Sequence, residues 1–110
     1  MEKNNKYKVV ILKQAENDIV EILNHISLKL NNPTAAMRLW NNIKDAISRV
    51  KLFPYAMPLI KNEYITLNKE YRRVNVNNYV IIYKIKKDEI HIIAILYAPS
   101  NIMESILNRL

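Results

Sequence analysis

The residues of this chain whose types and spacing could do chemistry are two arginines and a group of tyrosines. Arg72 and Arg73 are adjacent, with Tyr71 before them and Tyr79, Tyr83 and Tyr97 after them. Arginine carries a planar, permanently charged fork suited to a phosphate or a carboxylate. The competing role is structural: the stem packs over a sheet edge and the head pairs with Glu70 or Glu63. Tyr79 and Tyr83 are four residues apart, so in a strand they share a face, and Tyr71 and Tyr97 are expected to approach it. Such tyrosines contact a partner or pack across strands.

Other chemistries are poorly supplied. His25 and His91 are the two histidines and sit on different expected elements, and cysteine is absent. No zinc-type cluster, Ser-His-Asp order or helical His-Glu pair can be read. Glycine is absent as well, which excludes glycine-built phosphate loops. Turns that need positive φ must then use Asn, Asp or another residue. Neither a metal nor a cofactor is expected.

The elements that must position these residues follow from hydrophobic periodicity. Residues 6–12 are β-branched and aromatic and predict a strand. Ile19, Ile22, Leu23, Ile26 and Leu30 recur at helical steps and predict one helix from Ala15 to Leu30. Glu16, Asp18 and Glu21 fall in its first turns, on the favourable side of the dipole. Asn31-Asn32-Pro33 breaks and restarts the chain, with Asn as cap and Pro33 in the first turn. The second helix runs to Leu52, with Ala36, Leu39, Trp40, Ile43, Ile47 and Val50 as its stripe. Pro54 and Pro58 keep residues 54–62 irregular, with Tyr55, Met57 and Leu59 free to cover the core edge.

A three-stranded meander is expected over residues 69–97. Asn77-Asn78 suits its first turn and Lys86-Lys87-Asp88 its second. Tyr64 to Leu67 reads as loop or short strand. Ser100 is the expected cap of a short terminal helix, Ile102 to Asn108. The order is β-α-α-β-β-β, an α+β domain spanning 1–110. An antiparallel helix hairpin packs on one face of a small, mainly antiparallel sheet. The first strand lies beside the last or second-last. The last strand is apolar on both sides: Ile93 and Ile95 on one, Ile92, Ala94 and Leu96 on the other. One side meets the helices. The other needs a protein partner or the folded-back tail to cover it.

The chain has 110 residues, about half hydrophobic and a quarter charged, with a net charge of +7. That is an ordinary globular balance for one domain. Residues 1–60 carry nine basic and five acidic side chains and residues 61–110 carry eight and five. The excess is therefore spread out; it permits attraction to nucleic acid or an acidic partner without marking a site. The polar opening stretch and the short longest apolar run, Ile92 to Ala98, argue against a signal peptide and a membrane span. A cytoplasmic location is expected.

The ordered set of short patterns resembles the toxins of the RelE/ParE superfamily of bacterial type II toxin–antitoxin modules. The patterns are Ala-Glu-x-Asp-Ile at 15–19, Asn-Pro-x-Ala-Ala at 32–36, Leu52-Phe53-Pro54 and Pro58-Leu59. They continue with Tyr71-Arg72-Arg73, Asn78 to Tyr83 and Ile95-Leu96-Tyr97. The long hairpin and the Phe-Pro…Pro segment are closer to the ParE-like branch.

The resemblance implies a growth-inhibiting toxin of a plasmid-stabilisation or addiction system. Its cognate antitoxin would bind it in a hetero-oligomer, and DNA gyrase would be its target. It implies Arg72, Arg73, Tyr79 and Tyr83 as target contacts and Ile93, Ile95 and Tyr97 as antitoxin contacts. The alternative is a RelE-like, ribosome-dependent mRNA endonuclease. Cleavage needs a deprotonated 2′-hydroxyl, a stabilised phosphate charge and a protonated leaving oxygen. Arg73, Arg72 and Tyr97 would then be catalytic. The sequence departs from that pattern: Val80 stands where nucleolytic members carry Arg, and Ala98-Pro99 carries no charge. A third reading is a degenerate, non-toxic module that only binds antitoxin.

Overall fold

A computed structural model describes residues 6–60 and 70–109. Glu63 and the Tyr64 to Leu67 stretch lie outside the described residues. The elements are β1 (Lys8–Ile11), α1 (Lys13–Asn24), α2 (Pro33–Leu52), β2 (Tyr71–Val76), β3 (Tyr79–Lys86), β4 (Glu89–Tyr97) and α3 (Ile102–Leu107). The expected β-α-α-β-β-β order and short terminal helix are present. The sheet order is β1-β4-β3-β2. β1 runs parallel to β4, and the other pairs are antiparallel.

Local chemistry explains most boundaries. Asn32 caps α2 by accepting the Ala35 N–H, and Pro33 takes the first turn, where a missing N–H costs nothing. Without glycine, the left-handed positions fall to Asn31, Asn77 and Lys87. Asn77 serves the first hairpin turn as expected. At the second turn the position goes to Lys87 rather than Asp88. Asn101, not Ser100, caps α3, its side chain accepting the Glu104 N–H. Ser100 instead donates its hydroxyl to the Tyr97 carbonyl.

The first helix differs from expectation in one respect. The α-helix ends at Asn24 and a π-helical turn, His25–Lys29, carries the chain to Leu30. Leu28 and Leu30 are thereby turned out to solvent. Such turns are rare and widen a helix locally.

The sheet separates two apolar layers. On the helix side, Leu39, Ile43 and Val50 of α2 and Ala15 and Ile19 of α1 pack on Ile81, Tyr83, Ile92 and Ile95. On the far side, Val80, Ile82, Ala94 and Leu96 pack with Ile106 of α3, which is fully buried. The tail therefore covers that face. Met57 joins the core from the Pro54–Pro58 loop, whereas Tyr55 and Leu59 are exposed rather than covering its edge.

A bulge corrects the expected face assignment of β4. Ile82 pairs with Ala94 but Tyr83 pairs with Ile92, which leaves Ile93 as the extra residue. An inserted residue shifts the alternation by one. Ile95 and Ile92 therefore share the helix side, while Ile93 joins Ala94 on the far side. Ile93 and Ile95 do not share a face. Tyr71 also lies on the far side and does not approach Tyr79 and Tyr83. Among the described residues, no helix is long and apolar enough to cross a membrane.

Candidate functional site

The paired arginines lead apart. Alternation sends adjacent strand residues to opposite faces. Arg72 turns to the helix side and clamps the loop after α2. Its Nη1 donates to the Met57 carbonyl at 2.6 Å and the Tyr55 carbonyl at 3.3 Å. Its guanidinium lies 5.2 Å from the Tyr55 ring centre, a cation–π distance. Beside it, the Tyr83 hydroxyl donates to the Pro54 carbonyl at 2.7 Å. Burial pushes the Tyr83 pKa up to about 12, with the Arg72 charge working weakly against it. Tyr83 is fully buried and presents no surface to a partner. Arg73 points the other way and donates to Asn75 Oδ1 at 3.2 Å. Neither head pairs with Glu70; backbone carbonyls and an amide take them instead.

The tyrosines of β3 and β4 meet only in part. Tyr79 and Tyr97 are directly opposite in the ladder and stack edge-on, with ring centres 5.7 Å apart. Burial raises the Tyr79 pKa, and Tyr97 adds to the effect. Tyr97 remains half exposed. Arg73, Arg72 and Tyr97, expected together in a nuclease, therefore lie on opposite faces and on different strands. His91 pairs with Glu89 at 2.8 Å, a contact that lowers the Glu89 pKa. Among the described residues, no group of three or more His, Cys, Asp or Glu is placed to hold a metal.

A concavity lies elsewhere, between the first helix and the second half of β4. It measures about 940 Å³. Ile22 and Ile26 line one wall, Ile95, Tyr79 and Tyr97 the other, and Leu28 and Leu30 stand at its mouth. Asp18, Glu21, His25 and Lys29 supply its polar groups. It exists because β1 is short. β1 pairs with β4 only from Glu89 to Ile92. Among the described residues, no strand therefore pairs with residues 93–97 of β4 on that side.

Two side chains reach this open edge. Asp18 Oδ2 accepts the Ile95 N–H at 2.9 Å. The same carboxylate takes a two-point ion pair from Arg109, at 2.8 Å and 2.9 Å. Arg109 Nη1 also approaches the Ile93 carbonyl at 3.4 Å. The carboxylate raises the Arg109 pKa further. Sequence reasoning gave Asp18 only a dipole role and did not single out Arg109. The two are 91 residues apart, so no local pattern joins them.

Of the residues expected to meet a partner, Ile95 and Tyr97 line the groove, whereas the Ile93 side chain is buried on the far face. The groove therefore combines an apolar wall, an aromatic pair and a strand edge that, among the described residues, no other strand covers, features suited to holding a polypeptide segment.

Comparison with known proteins agrees with the architecture. No curated protein sequence matches the chain. A solved structure described as the chromosomal ParDE TA system from P. aeruginosa superposes with a TM-score of 0.68 at 16% identity. The match covers 84% of this chain and 96% of that one. At that identity the likeness speaks for the fold. The family model for the ParE toxin of the type II toxin–antitoxin system parDE matches residues 9–100. That match runs from β1 through the meander to the turn before α3, so the chain belongs to the ParE toxin family of type II toxin–antitoxin systems.

Proposed function

We propose that this chain inhibits growth by binding DNA gyrase stoichiometrically, and that a cognate antitoxin silences it by docking in the groove beside β4. The observation that carries the first part is the separation of the nuclease candidates. Arg72 is tied to the Tyr55 and Met57 carbonyls, Arg73 faces the opposite side, and Tyr97 stands at the end of β4. General acid–base cleavage needs its groups within hydrogen-bond reach of one phosphate. Binding a target protein needs only an accessible surface. We assign two separate surfaces to partners: Arg73 on the far face, and Tyr79 with the exposed flank of Tyr97 on the helix side.

The groove supports the second part. It offers apolar side chains and the free edge of residues 93–97, which together accept an extended segment by strand addition. The antitoxin's main chain pairs with that edge and its apolar side chains enter between Ile22, Ile26 and Ile95. The chain acts as one domain over residues 1–110, in the cytoplasm, within a toxin–antitoxin hetero-oligomer that stabilises a plasmid or locus.

Induction of the chain in growing cells tests the target. Purified gyrase should lose supercoiling activity in its presence, and DNA-damage signalling should rise. Rapid arrest of translation with cleaved transcripts would overturn the gyrase assignment in favour of the endonuclease. Absence of any growth defect would leave only antitoxin binding.

A further inference from the structure

A sheet edge that is free to receive a strand is also free to pair with the wrong one. This chain guards that edge from within. Asp18 occupies the Ile95 N–H at 2.9 Å, and Arg109 binds Asp18 through both terminal nitrogens while lying 3.4 Å from the Ile93 carbonyl. The Ile95 N–H and the Ile93 carbonyl, which a docking strand would use, are thus already taken. Neither side chain is freely solvated: they are 13% and 19% exposed for Asp18 and Arg109. Arg109 lies two residues past the end of α3, and Ile106 of α3 is fully buried on the sheet's far face. The ion pair and the buried isoleucine therefore anchor the same short segment at two points, one at the edge and one beneath it.

We propose that the Asp18–Arg109 pair is a gate on the open edge of β4, closed in the free chain and opened when a partner strand pairs with residues 93–97. The inference rests on the docking site assigned above. On opening, a partner carbonyl replaces Asp18 on the Ile95 N–H and a partner N–H meets the Ile93 carbonyl. Arg109 leaves the edge, and the end of α3 loosens with it. The closed gate competes with the partner, so the apparent affinity is the intrinsic one reduced by the fraction of open molecules. A largely shielded, two-point arginine–carboxylate pair is worth enough to change that fraction by about five- to tenfold.

The test uses the full chain and the antitoxin purified from the same operon. Affinity and amide hydrogen exchange are measured for the native chain and for Arg109→Gln and Asp18→Asn. Arg109 belongs to neither core layer, so its replacement leaves both in place, and thermal melting verifies this for both variants. Binding should slow exchange at residues 93–97 and speed it at residues 102–109. Arg109→Gln should tighten binding by about fivefold or more, and Asp18→Asn, which keeps an oxygen for Ile95 but loses the ion pair, should do the same. If exchange slows at 93–97 while 102–109 stays protected and neither variant tightens binding, the gate is wrong and the docking site stands. If the antitoxin binds without slowing exchange at 93–97, the docking site is wrong and the gate falls with it.

Discussion

Replacing Tyr83 by Phe isolates one buried hydroxyl and gives two opposite effects on stability. Tyr83 is fully buried, and its hydroxyl donates to the Pro54 carbonyl at 2.7 Å. Phe keeps the ring and removes the donor, leaving that carbonyl without its partner. At neutral pH the loss should be about 1–3 kcal/mol, the usual cost of an unsatisfied buried group. Above pH 10 a second, opposing effect sets in. The folded-state pKa is about 12, against an ordinary value of 10.0. Folding therefore holds the proton more tightly than the unfolded chain does. The stabilisation is fully present below pH 10 and is lost as pH rises toward 12. In that window the slope for one group approaches about 1.4 kcal/mol per pH unit, or about 2–3 kcal/mol in all. The Phe variant has no such group, so its deficit should shrink as pH rises. Other titrating side chains are common to both proteins and cancel in the difference. Urea unfolding of both proteins at pH 7 and at steps from 9 to 11.5 measures it. Stability curves that stay parallel from pH 9 upward would refute the assigned burial and hydrogen bond.

Further outcomes follow from the same geometry. Arg73→Ala should relieve growth inhibition in an induction assay while the melting temperature stays unchanged; unaltered toxicity would remove Arg73 from the working surface. Arg72→Ala should instead cost about 2 kcal/mol in chemical denaturation, because it strips a charged donor from the Met57 and Tyr55 carbonyls. Ile106→Ala should cost about 2–4 kcal/mol, or less where α3 collapses onto the gap, and binding of a fluorescent apolar dye should report the uncovered far face. Lys87→Gly should stabilise the protein by up to about 1 kcal/mol, since Lys87 holds φ 59° where glycine carries no steric penalty.

What could be read from the sequence is what local chemistry decides. The apolar stripe of α2, its Asn32-Pro33 start and the Asn77-Asn78 turn were all legible, because capping, φ preference and side-chain period act within a few residues. From these came the element order; the family came from the resemblance carried by the ordered short patterns along the chain. The phase of β4 was not legible. Ile92-Ile93-Ala94-Ile95 is apolar throughout, so no polar residue marks which side each member takes, and only pairing with β3 inserts Ile93 as a bulge.

The roles of the charged residues were likewise undecided by type. Arg72 and Arg73 look equivalent as neighbours, yet the loop carbonyls of Tyr55 and Met57 claim one and leave the other facing away. Asp18 was legible only as an acid early in a helix. Its actual partners, the Ile95 N–H and Arg109, come to it through a strand edge left bare where β1 ends at Ile11. The sequence by itself determined which segments form and roughly what faces they carry. The tertiary structure decided which backbone groups go unpaired and which distant side chains reach them, because those depend on where strands of unequal length stop beside one another.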